Sequence, residues 1–407
     1  MNIKEINGTV TTPKGFTAQG VCCSIKPNNK TKKDLALIYA QKPCTAAAIY
    51  TQNLVKGAPI IVMQKHLQNG TAQAIIANSG NANTCNADGE EKALKMCELT
   101  AQQLGLNTED VLVASTGVIG QVLPIEPIKS HIENLAKTLS TEGGTNAAEA
   151  IMTTDTVKKE AAVEVEIDGK KVTIGGIGKG SGMIHINMAT MLSFVTTDAS
   201  ISSTMLQKAL KTAADDTFNM VSVDGDTSTN DTLAILASGL AGNKEITEEN
   251  EDYEVFLAGL TLLCKKIAKM LAADGEGATK LLICSVTGAK TKKDARGVAE
   301  SVVCSSLLKA AMFGEDANWG RVLCAIGYSG CNVNIHKVAV SFITENGEGK
   351  GCKNGAGVEF SEEKASHVLS AKEITIAVTL EDGKENAEAY GCDLTYDYVK
   401  INGDYRT

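Results

Sequence analysis

The densest run of small residues in the chain reads Gly175-Gly176-Ile177-Gly178-Lys179-Gly180-Ser181-Gly182. Glycine has no Cβ, so such a run marks tight turns and close backbone approaches and restricts what can pack around it. A phosphate-binding loop is the first idea to test. The P-loop pattern needs Gly-Lys followed by Ser or Thr, whereas Gly178-Lys179 is followed by Gly180. The dinucleotide pattern needs a third glycine three residues after the second. Counted from Gly176 and Gly178, from Gly178 and Gly180, or from Gly180 and Gly182, that place holds Ser181, Met183 or His185. Both nucleotide patterns fail, and the segment reads as a glycine loop with some other purpose.

A chain of 407 residues exceeds one simple core and suggests two or three domains. Its 43% hydrophobic and 21% charged residues match soluble globular proteins. The net charge of −9 leaves no basic face for nucleic acid, and Lys30-Thr31-Lys32-Lys33 reads as a solvated loop. No apolar stretch reaches the roughly 18 residues needed to span a bilayer. Met1-Asn2-Ile3-Lys4-Glu5 carries no apolar signal region. A cytoplasmic protein is the expectation. The twelve cysteines are scattered apart from Cys22-Cys23, with no C-x-x-C, and the five histidines do not cluster with them. No metal site is expected. Cys284 and Cys304 follow apolar runs and read as small buried hydrophobes, and disulfides are not expected in a reducing compartment.

Periodicity gives a mixed αβ chain of layered sheets and helices. Residues 74–77, 111–114 and 191–195 read as strands, and 161–174 as a hairpin turning at Asp168-Gly169. Helices are expected over 90–104, 203–218, 248–273 and 295–313. Further strands are expected over 281–286, 322–326, 338–343 and 374–380. A boundary near 275–280 divides a domain of residues 1–280 from one of residues 281–407.

The segment that includes and extends beyond the end of the glycine run is the most specific part of the sequence. Residues 179–199, KGSGMIHINMATMLSFVTTDA, closely resemble the processing-site signature of the ornithine acetyltransferase family, also called glutamate N-acetyltransferase. The resemblance extends over essentially the whole chain. It includes Ser79-Gly80-Asn81-Ala82-Asn83, Ser115-Thr116-Gly117-Val118-Ile119-Gly120, Met152-Thr153-Thr154-Asp155-Thr156 and the ending Asn402-Gly403-Asp404-Tyr405-Arg406-Thr407. Ile186 departs from it, standing where many members carry proline. The resemblance implies autocleavage between Ala189 and Thr190, giving an α chain of residues 1–189 and a β chain of residues 190–407, assembled as (αβ)2. It implies transfer of acetyl from N-acetylornithine to glutamate, with no cofactor required. Thr116 and Gly117 are implied as oxyanion donors, and Thr153, Lys179, Thr190, Glu276, Asn402 and Thr407 as substrate contacts. Thr153 is preferred to Thr154.

The chemistry suits these residues. A threonine hydroxyl needs a base before it attacks. At a new N-terminus the α-amine, with a reference pKa of about 8, lies beside Oγ and can serve as that base. The same Oγ can cleave the chain by attacking the Ala189 carbonyl. Amino-acid substrates need charge partners: Lys179, between glycines, suits a carboxylate, and Glu276 an ammonium. His185, five residues before Thr190, is not needed as the base. Asp224-Gly225-Asp226-Thr227-Ser228-Thr229-Asn230-Asp231 resembles a calcium loop, but its sixth position holds Thr229 and its twelfth Ile235 in place of the glycine and glutamate required. It reads as a polar loop shaping a cleft. The residues do not decide whether acetyl-CoA is a second acetyl donor. Two rival classes are a self-processing aminopeptidase or amidase, with water as acceptor, and a non-enzymatic binding protein.

Overall fold

The structure, a computed structural model, describes residues 3–185, 191–359 and 361–404. It divides into two compact units. The first comprises Met1–Gly180, Asn187–Asp215 and Thr227–Ile267; the second comprises Ser181–Ile186, Asp216–Asp226 and Ala268–Thr407. Residues 181–186, 216–226 and 268–280, on the first side of a linear division after residue 280, fall in the second unit.

The strands are β1 (Ile3–Ile6), β2 (Phe16–Val21), β3 (Leu35–Tyr50), β4 (Thr71–Asn78), β5 (Val111–Ser115), β6 (Lys159–Ile167), β7 (Lys170–Lys179) and β8 (Leu192–Thr197). They continue with β9 (Val221–Ser222), β10 (Thr232–Ala237), β11 (Leu281–Ala289), β12 (Ala339–Thr344), β13 (Gly347–Lys353), β14 (Ala356–Gly357), β15 (Glu373–Thr379) and β16 (Glu385–Cys392).

Nine described strands of the first unit form one mixed sheet in the order β1-β6-β7-β8-β10-β3-β4-β5, with β2 also on β3. The 16-residue β3 organises it: its first half pairs with β2 and β4, its second half with β10. The register against β4 shifts between Tyr39 and Cys44, where Pro43 has no N–H to give to a ladder. Alternation along the strands supplies two apolar faces. Leu37, Ile76, Val111 and Val113 pack against Ala93, Met96 and Cys97 of helix Gly89–Leu104 and against Ile128, Ile132 and Leu135 of helix Ile125–Lys137. Their neighbours Ile38, Ile75, Leu112 and Ala114 join Phe194, Leu236 and the alanines of helix Gly144–Ala150 in a second core. Each such aliphatic side chain contributes about 1.5–3 kcal/mol by leaving water.

The glycine run is not a loop throughout. Residues 175–179 complete β7, paired on one side with β6 and on the other with β8. Their glycines are needed for packing. A Cβ on Gly178 would lie 2.6 Å from Ile267, and one on Gly176 3.0 Å from the same side chain, which belongs to helix Glu251–Ala273. On Gly175 it would overlap the Thr9 carbonyl oxygen.

The second unit carries a seven-stranded sheet in the order β14-β13-β12-β15-β11-β16-β9. Two expectations are corrected there. The helix expected over 295–313 is two helices, Lys292–Val303 and Ser306–Phe313, because Ser305 stops the first and caps the second by accepting the Leu308 N–H. The strand expected over 322–326 is helix Trp319–Gly327, capped by Asn318, which accepts the Arg321 N–H. Cys284 is buried as expected, whereas Cys304 is half-buried at a helix end. No helix among the described residues is long and apolar enough to cross a membrane.

Candidate active site

Two groups of the expected site residues lie in the first unit. At the end of β5 the buried Ser115 hydroxyl donates to Asn78 Oδ1 at 2.6 Å, and the Thr116 N–H donates to the Asn78 carbonyl at 3.0 Å. Gly117 follows with φ 134°, in the left-handed region that favours glycine. A Cβ there would lie 2.5 Å from the Asn81 nitrogen and would overlap Gly80. Asn230 clasps this turn from another loop. Its Nδ2 donates to the carbonyls of Ala82 and Ser115, at 2.6 and 3.0 Å, and its Oδ1 accepts the Thr84 and Thr229 hydroxyls at 2.6 Å each. These hydrogen bonds tie down the turn that carries Thr116 and Gly117.

The second group sits at the open end of the β6–β7 hairpin. Asp168 and Gly169, both with positive φ, make the tight turn that pairs Lys159 with Gly178. The far end therefore carries Lys159 and Lys179, both buried. Lys179 Nζ donates to Thr153 Oγ1 at 2.7 Å. Asp155 lies beneath: Oδ1 accepts from Lys159 Nζ and from the Gly180 N–H, at 2.7 Å each, and Oδ2 accepts from the Thr153 N–H at 3.0 Å. Lys179 Nζ stands 3.8 Å from Oδ2. Burial pushes the Asp155 carboxyl up, but the Lys179 and Lys159 ammonium groups and the Gly180 amide together hold it well below the usual carboxylate range.

Ala189 and Thr190 lie outside the described residues, as do Ile186 and Thr407. The description resumes at Met191, whose N–H donates to Asp231 Oδ1 at 2.9 Å. Leu192 then pairs with Lys179 on one side and Thr232 on the other. Burial pushes the Asp231 carboxyl well above the usual range. Its Oδ2 has no hydrogen-bond partner among the described residues.

The second unit holds Glu276 and Asn402. Glu276 is buried just beyond helix Glu251–Ala273, and its N–H donates to the Ser181 carbonyl at 2.8 Å. Asn402 Nδ2 donates to Glu276 Oε2 at 2.8 Å. Gly182 makes room for that carboxylate, which a Cβ there would overlap. In the same unit His185 Nδ1 lies 3.2 Å from Ser222 Oγ and 3.6 Å from Cys304 Sγ. Burial lowers the pKa of its imidazole, against the pull of Asp224 and Asp226. The Asp224 carboxylate accepts the N–H groups of Met183 at 2.6 Å and Ile184 at 2.9 Å.

The strand-to-glycine turn at Thr116-Gly117 and the buried Lys179–Thr153 pair lie in the first unit, and the Glu276–Asn402 pair lies in the second. The sequence pattern of the ArgJ family matches residues 17–407. The chain belongs to the ArgJ family. It is 52% identical over 407 residues to arginine biosynthesis bifunctional protein ArgJ 1 of Clostridium acetobutylicum, covering 100% of this chain and 99% of that one. It is 50% identical over 403 residues to the ArgJ protein of Caldanaerobacter subterraneus, covering 99% of each. Among solved structures it resembles the ArgJ protein of Bacillus halodurans, 47% identical with a TM-score of 0.49, over 52% of this chain and 97% of that one.

Three residues that sequence reasoning does not single out contact these groups: Asp155 and Lys159 beside the Lys179–Thr153 pair, and Asn230 at the turn before Thr116. Asp155 stands in the sequence only inside a motif, and Asn230 only inside an acidic loop. Asn230 reaches partners distant in sequence and Lys159 meets Asp155 four residues away, and in each case no local pattern shows that the polar side chain is buried.

Proposed function

We propose that this enzyme cleaves itself between Ala189 and Thr190 and transfers acetyl from N-acetylornithine to glutamate through an acetyl-Thr190 ester. The observation that carries the reading is the buried Lys179–Thr153 pair, an ammonium and a hydroxyl in hydrogen bond at 2.7 Å, on the strand that leads to the junction. In cleavage, Thr190 Oγ attacks the Ala189 carbonyl carbon, the peptide C–N bond breaks as the ester forms, and water opens the ester to leave a carboxylate on Ala189 and an amine on Thr190. In transfer, that amine takes the Oγ proton and Oγ attacks the acetyl carbonyl. Thr116 and Gly117 stabilise the oxyanion. The acetyl C–N bond breaks, the departing amine receives the proton, and ornithine leaves. The glutamate amine then attacks the ester and restores the hydroxyl.

Lys179 and Thr153 take the amino-acid carboxylate. The curated relatives are named bifunctional, and acetyl-CoA is the second acetyl donor of this proposal. Ornithine release is measured from N-acetylornithine with and without glutamate. Release that requires glutamate, with N-acetylglutamate formed in equal amount, supports transfer. Release independent of glutamate overturns it in favour of an amidase. The assay repeated with acetyl-CoA tests the second donor.

A further inference from the structure

Four lysines and no acid occupy residues 26–33, in a chain whose net charge is −9. They stand on the connection from β2 to β3, which leaves the ladder at the Val21–Leu35 pair. Asp34 shapes this connection from within. Its buried carboxylate accepts the N–H groups of Cys23 and Ile25, at 2.7 and 2.8 Å, and Asn29 Nδ2 at 2.7 Å. Asn29 in turn donates to the Lys32 carbonyl at 2.7 Å and accepts the Lys32 N–H at 3.0 Å. Lysines on a backbone tied in this way are pre-organised, which lowers the ordering cost of binding.

The loop touches both groups of site residues in the first unit. The Asp34 carbonyl accepts the Ser79 N–H at 3.0 Å, and a Cβ on Gly80 would lie 3.5 Å from Lys26 Cγ. The Lys26 stem therefore rests on the backbone against which Gly117 packs. Farther along, Lys32 Nζ donates to the carbonyl of Thr153, the residue whose hydroxyl accepts from Lys179. Lys33 is paired with Glu149 at 2.6 Å. Lys30 and Lys32 are exposed, and their ammonium groups donate to carbonyl oxygens, of Pro27 at 2.9 Å and of Thr153. A carbonyl takes a hydrogen bond without neutralising the charge. Burial lowers the Lys32 pKa, the Asp155 carboxylate opposes this and the Lys26 ammonium adds to it, so an anion at this rim would relieve a repulsion.

N-acetylornithine does not call for these lysines. Its carboxylate goes to Lys179 and Thr153, and its ammonium is repelled by further cations. Acetyl-CoA brings an acetyl thioester at one end and a diphosphate and a ribose phosphate at the other, and lysine binds phosphate as a point charge. We propose that the β2–β3 loop docks the phosphates of acetyl-CoA, with Lys30 and Lys32 as phosphate-binding residues. The inference rests on acetyl-CoA as the second acetyl donor and names the residues that hold it.

The test compares kcat/KM for acetyl-CoA, S-acetylpantetheine and N-acetylornithine as donors to glutamate, in purified, processed wild type, Lys30→Gln and Lys30→Gln/Lys32→Gln. S-acetylpantetheine carries the same thioester without phosphate. The wild type is expected to prefer acetyl-CoA to S-acetylpantetheine, and added salt to erode that preference. The double variant should lose about 10- to 100-fold on acetyl-CoA, chiefly through KM, the size of lost charge-assisted hydrogen bonds. Its losses on S-acetylpantetheine and N-acetylornithine should be small, and Lys30→Gln should fall between wild type and double variant. Equal losses on all three donors, or an unchanged preference between the thioesters, overturns the proposal. A raised KM for glutamate with every donor also overturns it, and assigns the loop to the acceptor's second carboxylate. A wild type that uses both thioesters alike overturns the role of the loop alone. A wild type that uses neither thioester overturns the second donor and this inference with it, while transfer from N-acetylornithine stands.

Discussion

Gly117 shows how narrowly a single residue is specified. Its φ of 134° and its contact with the Gly80–Asn81 backbone leave no space for a methyl group. Gly117→Ala should therefore shift the turn that carries the proposed oxyanion donors and lower kcat about 10²- to 10³-fold, the usual effect of losing one such donor. Kinetics of the processed variant, with circular dichroism to verify folding, check this. At this scale Thr116, Gly117, Thr153, Lys179 and Thr190 were expected through the resemblance, and chemistry explained only how an Ala-Thr junction could become a nucleophile and why the substrates need charge partners. Asn230 was hidden because its partners lie far away at Ala82 and Ser115, and an asparagine in a polar loop looks the same whether solvated or buried. Asp155 and Lys159 lie only four residues apart and were hidden because the sequence does not show that both side chains are fully buried.

Elements were legible where their pattern is periodic and bounded. The hairpin at Asp168-Gly169 and the helix Gly89–Leu104 follow from turn chemistry and helical spacing. Val322 to Ile326 failed because a short apolar run has no period of its own, and the Asn318 cap was the signal that distinguishes helix from strand. The 16-residue β3 was not anticipated because Gln41, Lys42 and Pro43 interrupt it. The glycines of β7 have a consequence at this scale. Gly178→Val would drive a side chain into Ile267 of helix Glu251–Ala273, and thermal or denaturant unfolding should show a loss of about 1–3 kcal/mol, as overpacking does. Helix Lys292–Val303 carries a pH dependence of its own. Burial pushes the Glu300 carboxyl up to about 7, against the pull of Arg296. Its folded value lies above its unfolded one of 4.5, so the folded chain holds that proton more tightly. The associated stability is present at low pH and lost as pH rises from the ordinary carboxylate range through 7. Glu300→Gln should raise the melting temperature by a few degrees at pH 8 and leave it unchanged at pH 3, below the ordinary carboxylate range.

For the whole molecule, the mixed αβ class was legible, but strand order was not, because it depends on pairings across most of the chain. That order matters for processing. β8 and β10, from the residues after the junction, lie between β7 and β3, from the residues before it. Cleavage would leave two chains sharing one sheet, with the pairs β7–β8 and β10–β3 crossing the cut. The fragments should therefore elute together in native size exclusion and separate only under denaturing conditions. The most direct measurement of the central claim is intact mass under denaturing conditions, before and after incubation with N-acetylornithine alone. The account expects fragments of residues 1–189 and 190–407, the second gaining one acetyl group on Thr190, and an uncut, unacetylated chain for Thr190→Ala. An uncut wild type that transfers acetyl, or a Thr190→Ala variant that is still cut, would contradict it.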